Sequence, residues 1–394
     1  MEASIQPITT AAARESAPAD LPASHLAKSH LLALDGIRGV AVLMVLAFHF
    51  WQSLLGLQAK TPLASDLRFL AAGQTGVDLF FVLSGFLITG ILLNAKGSPH
   101  YLKNFYARRA LRILPLYYGV VCGYFVVGWI HQGFHSTFGQ LWWYFPYLQN
   151  VGMTFWPGTV GGPGHFWSLG VEEHFYLLWP MLVLLCAERR LPWILAGMVA
   201  GAMVCRMAMI PWVGSDGIFP FSPCRVDALA LGALLAVLVR RPELARGTLA
   251  ACRGCLLLLG PGLVLLYLLT SGKALFFMQV VKYSLVALGY TALLGAVIGP
   301  RRWQWLETFF CAGFLRWCGK YSYAMYVFHP VVYWCIMSQR PKMSLMQTHI
   351  NVYLGAEAVL LFATVCAVSW ASWHLFEKHF LKLKRFFEYS VGET

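Results

Sequence analysis

The 394-residue chain is 58% hydrophobic and only 12% charged, with a mean hydropathy of +0.61. A soluble domain carries about 25% charged residues, so this composition excludes a soluble globular enzyme and predicts an all-α, polytopic integral membrane protein. The net charge of +13 does not point to nucleic acid, because Lys and Arg collect in short connections between apolar runs, as the positive-inside rule produces.

Residues 1–30 are rich in Ala, Ser and Pro and lack an apolar h-region, which predicts a disordered cytoplasmic tail rather than a signal peptide. A membrane domain is expected over 31–378 and a basic cytoplasmic tail over 379–394. About ten segments are long and apolar enough to span: 32–56, 73–95, 110–131, 165–187, 191–213, 225–240, 252–271, 275–298, 315–338 and 350–375. The aromatic stretch 137–150 reads as an interfacial or re-entrant helix. Alternate connections hold Lys96 to Arg112, Arg189 and Arg190, Arg240 to Arg253, and Arg301 to Lys320. The long loop 132–164 has no Lys or Arg. This bias predicts both termini in the cytoplasm. The ten cysteines are scattered, and Cys252–Cys255 is the one close pair, weak evidence for a metal without His partners; no metal is expected.

The first span, LDGIRGVAVLMVLAFHF, carries Asp35, Arg38 and His49 in an otherwise apolar segment. Eleven residues at about 100° each place Arg38 and His49 about 20° apart on one helix face and roughly 16 Å apart along the axis. An ionisable residue at that depth is a functional candidate, against the blander reading of a histidine hydrogen-bonded between helices. At comparable depth from the external side lie Asp78, then Glu172 and Glu173 with His165 above them, then Arg225 and Asp227. Singly, each reads as a cap or a buried ion pair. Several carboxylates beside one histidine suggest general-base chemistry, the carboxylate orienting the imidazole.

On the inner side, Arg108, Arg109 and Arg112 precede the third span, with Arg109 and Arg112 at i, i+3 on one face. Part of this is ordinary positive-inside charge. The rest fits a phosphate site, because guanidinium forks match phosphate oxygens, and Arg38 sits at the same depth. No GxxxxGK[ST], GxGxxG or GxSxG motif is present. His329 precedes Pro330 in GKYSYAMYVFHPVV. A structural role is favoured for it, since a proline leaves carbonyls needing partners.

These stretches, together with GVDLFFVLSGFLI, YARRALRILPLYY, FWSLGVEEHFYLLWP and RVDALALGALLA, resemble the membrane-bound acyltransferase 3 family, whose members O-acylate sugars and related acceptors. Arg38 and His49 stand at the family's R-x10-H spacing, and His174 stands where many members have Gln. Some members carry a fused extracytoplasmic SGNH domain, which is not seen here before Thr394. The resemblance therefore implies transfer by the membrane part alone or hand-over to a separate protein. It implies an O-acyltransferase of the bacterial inner (plasma) membrane, with no bound cofactor and cytoplasmic acyl-CoA as co-substrate. The donor's phosphates would rest on Arg109, Arg112 and Arg38, with Arg108 beside them. His49 would act as base or as a transiently acylated nucleophile. The acceptor would be a carbohydrate or other glycosylated molecule. A transporter of an acylated or sugar substrate is the alternative, though no inverted repeat supports it.

Overall fold

A bilayer offers no water to unpaired backbone groups, so a chain this apolar must close its hydrogen bonds within helices or a barrel. The computed structural model describes residues 23–55, 67–270, 276–299, 303–339 and 350–389, and among them there is no strand. In chain order the helices are α1 (Ala23–Leu55), α2 (Gly76–Ala95), α3 (Tyr101–Gln132), α4 (Phe134–Leu141), α5 (Gln149–Phe155), α6 (Trp167–Leu185) and α7 (Leu191–Ile218). They continue with α8 (Ser222–Leu238), α9 (Pro242–Thr270), α10 (Phe276–Ile298), α11 (Gln304–Phe310), α12 (Gly313–Met337), α13 (Ile350–Ser372) and α14 (Lys378–Lys382).

Each of the ten apolar segments coincides with one of the longer helices. Among the described residues six helical stretches are long and apolar enough to cross a membrane, and they fall in α1, α2, α3, α7, α10 and α13. Several of the others are shorter or interrupted by charge. Helix α8 has 17 residues, α6 carries Glu172 and Glu173, and α12 carries Arg316, Lys320 and His329.

Two helix pairs approach so closely that only glycine fits between them. A Cβ on Gly39 of α1 would collide with the Leu315 carbonyl of α12, and one on Gly319 of α12 with the Asp35 carbonyl of α1. Gly85 of α2 and Gly232 of α8 meet the carbonyls of Leu229 and Val82 in the same way. Lipid tails are as apolar as leucine, so packing at small residues is what brings membrane helices together. The Tyr333 hydroxyl donates to the Leu46 carbonyl at 2.8 Å and fixes α12 against α1 one turn from His49.

The basic connections gather at one end. Lys96 donates to the Cys186 carbonyl at 2.7 Å, Arg240 to the Gly90 carbonyl at 2.8 Å, and Arg241 to the Glu188 carbonyl at 2.9 Å. At the opposite end, loop 132–164 folds into α4, a 3-10 turn at Trp142–Tyr144 and α5. Tyr117 and Tyr118 of α3 pin it through the Tyr144 and Phe145 carbonyls at 2.9 and 2.8 Å.

Both expected tails are partly structured. Residues 1–22 lie outside the described residues, and α1 already begins at Ala23. After α13 the chain forms a π-helical turn at Trp373–Glu377, then α14 and a 3-10 turn at Leu383–Phe387. This segment lies across α3, where Asn104 donates to the Glu388 carbonyl at 2.9 Å. Residues 390–394 of the expected basic tail lie outside the described residues.

Candidate active site

Proline chemistry sets the centre of the site. Pro330 has no N–H, so the carbonyl four residues earlier, on Tyr326, loses its helical partner. His329 Nδ1 takes that place at 2.8 Å and lies 3.2 Å from the Met325 carbonyl. A carbonyl only accepts, so Nδ1 carries the proton, and in a neutral ring Nε2 keeps the lone pair. His329 is fully buried and its Nε2 has no hydrogen-bond partner. The same logic holds at His49, whose Nδ1 meets the Val45 carbonyl at 2.9 Å. The close approach of α1 and α12 brings the two rings to 4.7 Å between centroids. His165, from the 3-10 turn that opens α6, joins them at 5.3 Å from His329, its Nε2 also buried and without a partner. Three imidazoles therefore share one centre, with His329 fully buried and His49 and His165 half-buried. Among the described residues no group of three or more His, Cys, Asp or Glu side chains is placed to hold a metal ion.

Tyr326 links this centre to a cavity. Its hydroxyl donates to the His165 carbonyl at 2.6 Å and lies 2.5 Å from Ser168 Oγ. Ser168 and Tyr326 line one part of a cavity of about 820 Å³, counting its open mouth, that also reaches Ser84, Glu172 and Tyr176 and the guanidinium groups of Arg38, Arg109 and Arg112. Ser84 and Tyr176 are hydrogen-bonded across it. Arg109 stacks over the Tyr176 ring at 5.0 Å, which holds its charged plane at the wall. Arg38 is also bonded to Asp35 at 2.6 Å. A second cavity, of about 590 Å³, shares Arg38 and Arg112 with the first and extends to Asp35, Arg316, Lys320 and Trp373. The first cavity thus runs from the basic end of the bundle to Ser168 and Tyr326, whose neighbours are the histidines, though no imidazole lines it.

The expected groups do not all meet there. Arg108 turns away from both cavities, donating to the Phe387 carbonyl at 3.3 Å and facing the Tyr389 ring. Asp78 goes to Arg225 at 2.6 Å rather than to His49, whose ring packs against Phe48 and His329. Asp227 pairs with Arg206 at 2.9 Å and accepts from Ser284 at 2.5 Å. Arg206 also donates to the Cys224 and Val280 carbonyls, and Arg225 lies over the Tyr283 ring at 4.1 Å. These buried pairs tie α2, α7, α8 and α10 together. Glu172 lines the first cavity, while Glu173, its neighbour on α6, does not. His174 meets Ser222 at 2.7 Å, joining α6 to α8.

Sequence reasoning missed Tyr326, Ser168, Tyr176, Arg206, Arg316 and Lys320. Helical spacing was the available signal for some of them. Tyr326 lies three residues before His329 on one face, and Tyr176 lies four after Glu172. Arg206 sits alone in the apolar run MVCRMAMI and gives no such sign.

Fold and site together define an integral membrane protein with an arginine-lined cavity among its helices and a histidine centre beside the cavity's inner end. The chain belongs to the acyltransferase 3 family, whose model, described as an acyltransferase domain, matches residues 31–376. It is 26% identical over 333 residues to the peptidoglycan O-acetyltransferase OatA of Listeria monocytogenes, covering 77% of this chain and 50% of that protein. A provisionally named peptidoglycan O-acetyltransferase of Bacillus subtilis, YrhL, is 31% identical over 169 residues, 39% of this chain and 24% of that protein. A provisionally named O-acetyltransferase of Staphylococcus aureus is 25% identical over 328 residues, with 76% and 50% covered. This chain thus spans half the length of two of these relatives and about a quarter of the third. No solved structure matches it significantly.

Proposed function

We propose that this protein is an O-acetyltransferase of the bacterial inner membrane, with both termini cytoplasmic, that moves an acetyl group from cytoplasmic acetyl-CoA to a hydroxyl of an envelope carbohydrate. The observation that carries the reading is the cavity lined by Arg38, Arg109 and Arg112 at the basic end and by Ser168 and Tyr326 beside the histidines. Cytoplasmic phosphates would bind the guanidinium groups, and the thioester arm would follow the cavity inward. The relatives' names supply the acceptor class, a glycan of the cell wall.

In the direct route, an imidazole Nε2 takes the proton of the acceptor hydroxyl as its oxygen attacks the thioester carbonyl. The C–S bond breaks, and the thiolate leaves with that proton. In the two-step route, Nε2 attacks the thioester carbonyl and the C–S bond breaks, leaving an acetyl-imidazolium and the CoA thiolate. The acceptor oxygen then takes the acetyl group as the N–C bond breaks, and its proton passes to the thiolate. His49 and His329 both have Nδ1 directed to a carbonyl, which is the tautomer either route requires.

Mass spectrometry of envelope glycans from cells with and without the gene tests the assignment. An alkali-labile acetyl ester that appears only with the protein is expected. Identical glycans in both strains, with labelled sugar accumulating only where the protein is made, would favour a transporter and overturn it.

A further inference from the structure

The second cavity is not needed for the thioester, which must end near the histidines. It is nevertheless built like a binding site. Arg38, Arg112, Arg316 and Lys320 line it with a single carboxylate, Asp35, which is bonded to Arg38. The other carboxylates in electrostatic reach of Arg112 are Glu377, itself accepting from Ser372 at 2.9 Å, and Glu172, which lines the first cavity rather than this one. Lys384 adds a further cation near Arg112. The Nε of Arg316 is buried with no partner. So many cations around one space, with so few anions, attract a polyanion.

One wall is aromatic. Trp373 opens the π-helical turn, with Lys320 Nζ at 5.5 Å from its ring and Tyr321 at 5.9 Å edge-on. π-Helical turns are rare and concentrate at functional sites. An indole plane beside four cations suits a planar base joined to phosphates better than it suits an inorganic anion.

We propose that this cavity holds the purine nucleotide end of the donor, with Trp373 against the base and Arg316 and Lys320 on its phosphates. Arg38 and Arg112, shared by both cavities, then mark where the nucleotide gives way to the thioester arm. The inference rests on the donor assignment above and adds residues from α12 and the C-terminal segment to it.

The test is calorimetric titration of the purified protein in phosphatidylcholine nanodiscs with CoA, adenosine 3′,5′-bisphosphate and pantetheine. Arg316→Ala, Lys320→Gln and Trp373→Leu should each weaken CoA and the bisphosphate about tenfold, and the loss should vanish with pantetheine, which lacks the nucleotide. Thermal melting of each variant must match the parent protein. Arg316→Lys, which keeps the charge without the fork, should recover part of the loss. If the three variants bind CoA and the bisphosphate normally while Arg109→Ala does not bind CoA, the nucleotide lies elsewhere and the donor assignment still stands. If the unaltered protein binds no CoA, the donor assignment itself falls. Loss of bound phosphatidylglycerol from the variants, with nucleotide binding unchanged, would make the cavity a lipid headgroup site and overturn the inference.

Discussion

At the scale of single residues, His49 and Asp78 separate chemistry from architecture. His49 offers Nε2 beside two other imidazoles, so His49→Gln should insert and fold normally yet lose nearly all transfer. An amide cannot take up the hydroxyl proton at neutral pH, and general acid–base catalysis contributes about 10²- to 10⁴-fold. Near-normal turnover by purified His49→Gln would move the chemistry to His329 or His165. Asp78 is predicted to behave differently, because its carboxylate neutralises the buried Arg225 guanidinium. Asp78→Asn should cost about 3–5 kcal/mol of stability, since a charge would be left buried without its partner. Asp78→Leu with Arg225→Met should recover most of that, because an apolar pair of similar volume replaces a buried ion pair at little cost. Detergent melting curves of the three proteins decide the matter, and an inactive Asp78→Asn of unchanged stability would return Asp78 to the catalytic set. From sequence, Asp78 and His49 share a depth because depth follows from position along a helix. Which way a side chain faces across the bundle depends on neighbours brought by packing. For that reason the partner of Asp78 was not legible, and neither was Arg206 as the partner of Asp227.

At the scale of helices, the sequence was far more informative. Ten apolar runs became ten long helices because bilayer thickness fixes their length and the backbone has no other way to satisfy itself. The elements that the apolar pattern did not resolve are the short ones. Loop 132–164 and residues 373–389 have too few turns for a hydrophobic period to emerge, and the latter are charged as well as aromatic. The meeting of α1 with α12 was half legible, since Gly39 and Gly319 were visible but not their mates. That contact sets the distance between His49 and His329, and it makes a graded prediction. Gly39→Ala and Gly319→Ala place a methyl on a backbone carbonyl that cannot swing aside. Each should cost about 1–3 kcal/mol by overpacking and depress transfer by displacing His49 from His329. Gly123→Ala on α3, where an added Cβ meets nothing within 4 Å, should instead be neutral or stabilise by up to ~1 kcal/mol, as glycine-to-alanine changes in exposed helix interiors do. Melting temperature and initial rate measured on all three give the comparison, and an equal response at Gly39 and Gly123 would mean that the close approach is not needed.

At the scale of the whole molecule, the proposed reaction depends on which end faces the cytoplasm. The basic connections touch one another at one end of the bundle through Lys96, Arg240 and Arg241, and the arginine-lined cavities open among Lys and Arg of the same set. The opposite loop, 132–164, has no Lys or Arg at all. Retention of positive charge on the cytoplasmic side would place the cavity mouth where acetyl-CoA is made, and the histidines part-way toward the other face. An acetyl group could then cross the bilayer while the nucleotide stays behind, which removes any need to carry a multiply charged donor through hydrocarbon. Single cysteines at the exposed positions Ser136 and Glu243, in a background with the native cysteines replaced, report this directly. A membrane-impermeant maleimide applied to intact cells should label Ser136→Cys, and should label Glu243→Cys only after permeabilisation. The reverse pattern would put the arginines outside, where no acetyl-CoA is available to them. The cavity would then have to serve an extracellular anion, and the acetyl donor would have to reach the histidines from the end capped by α4 and α5.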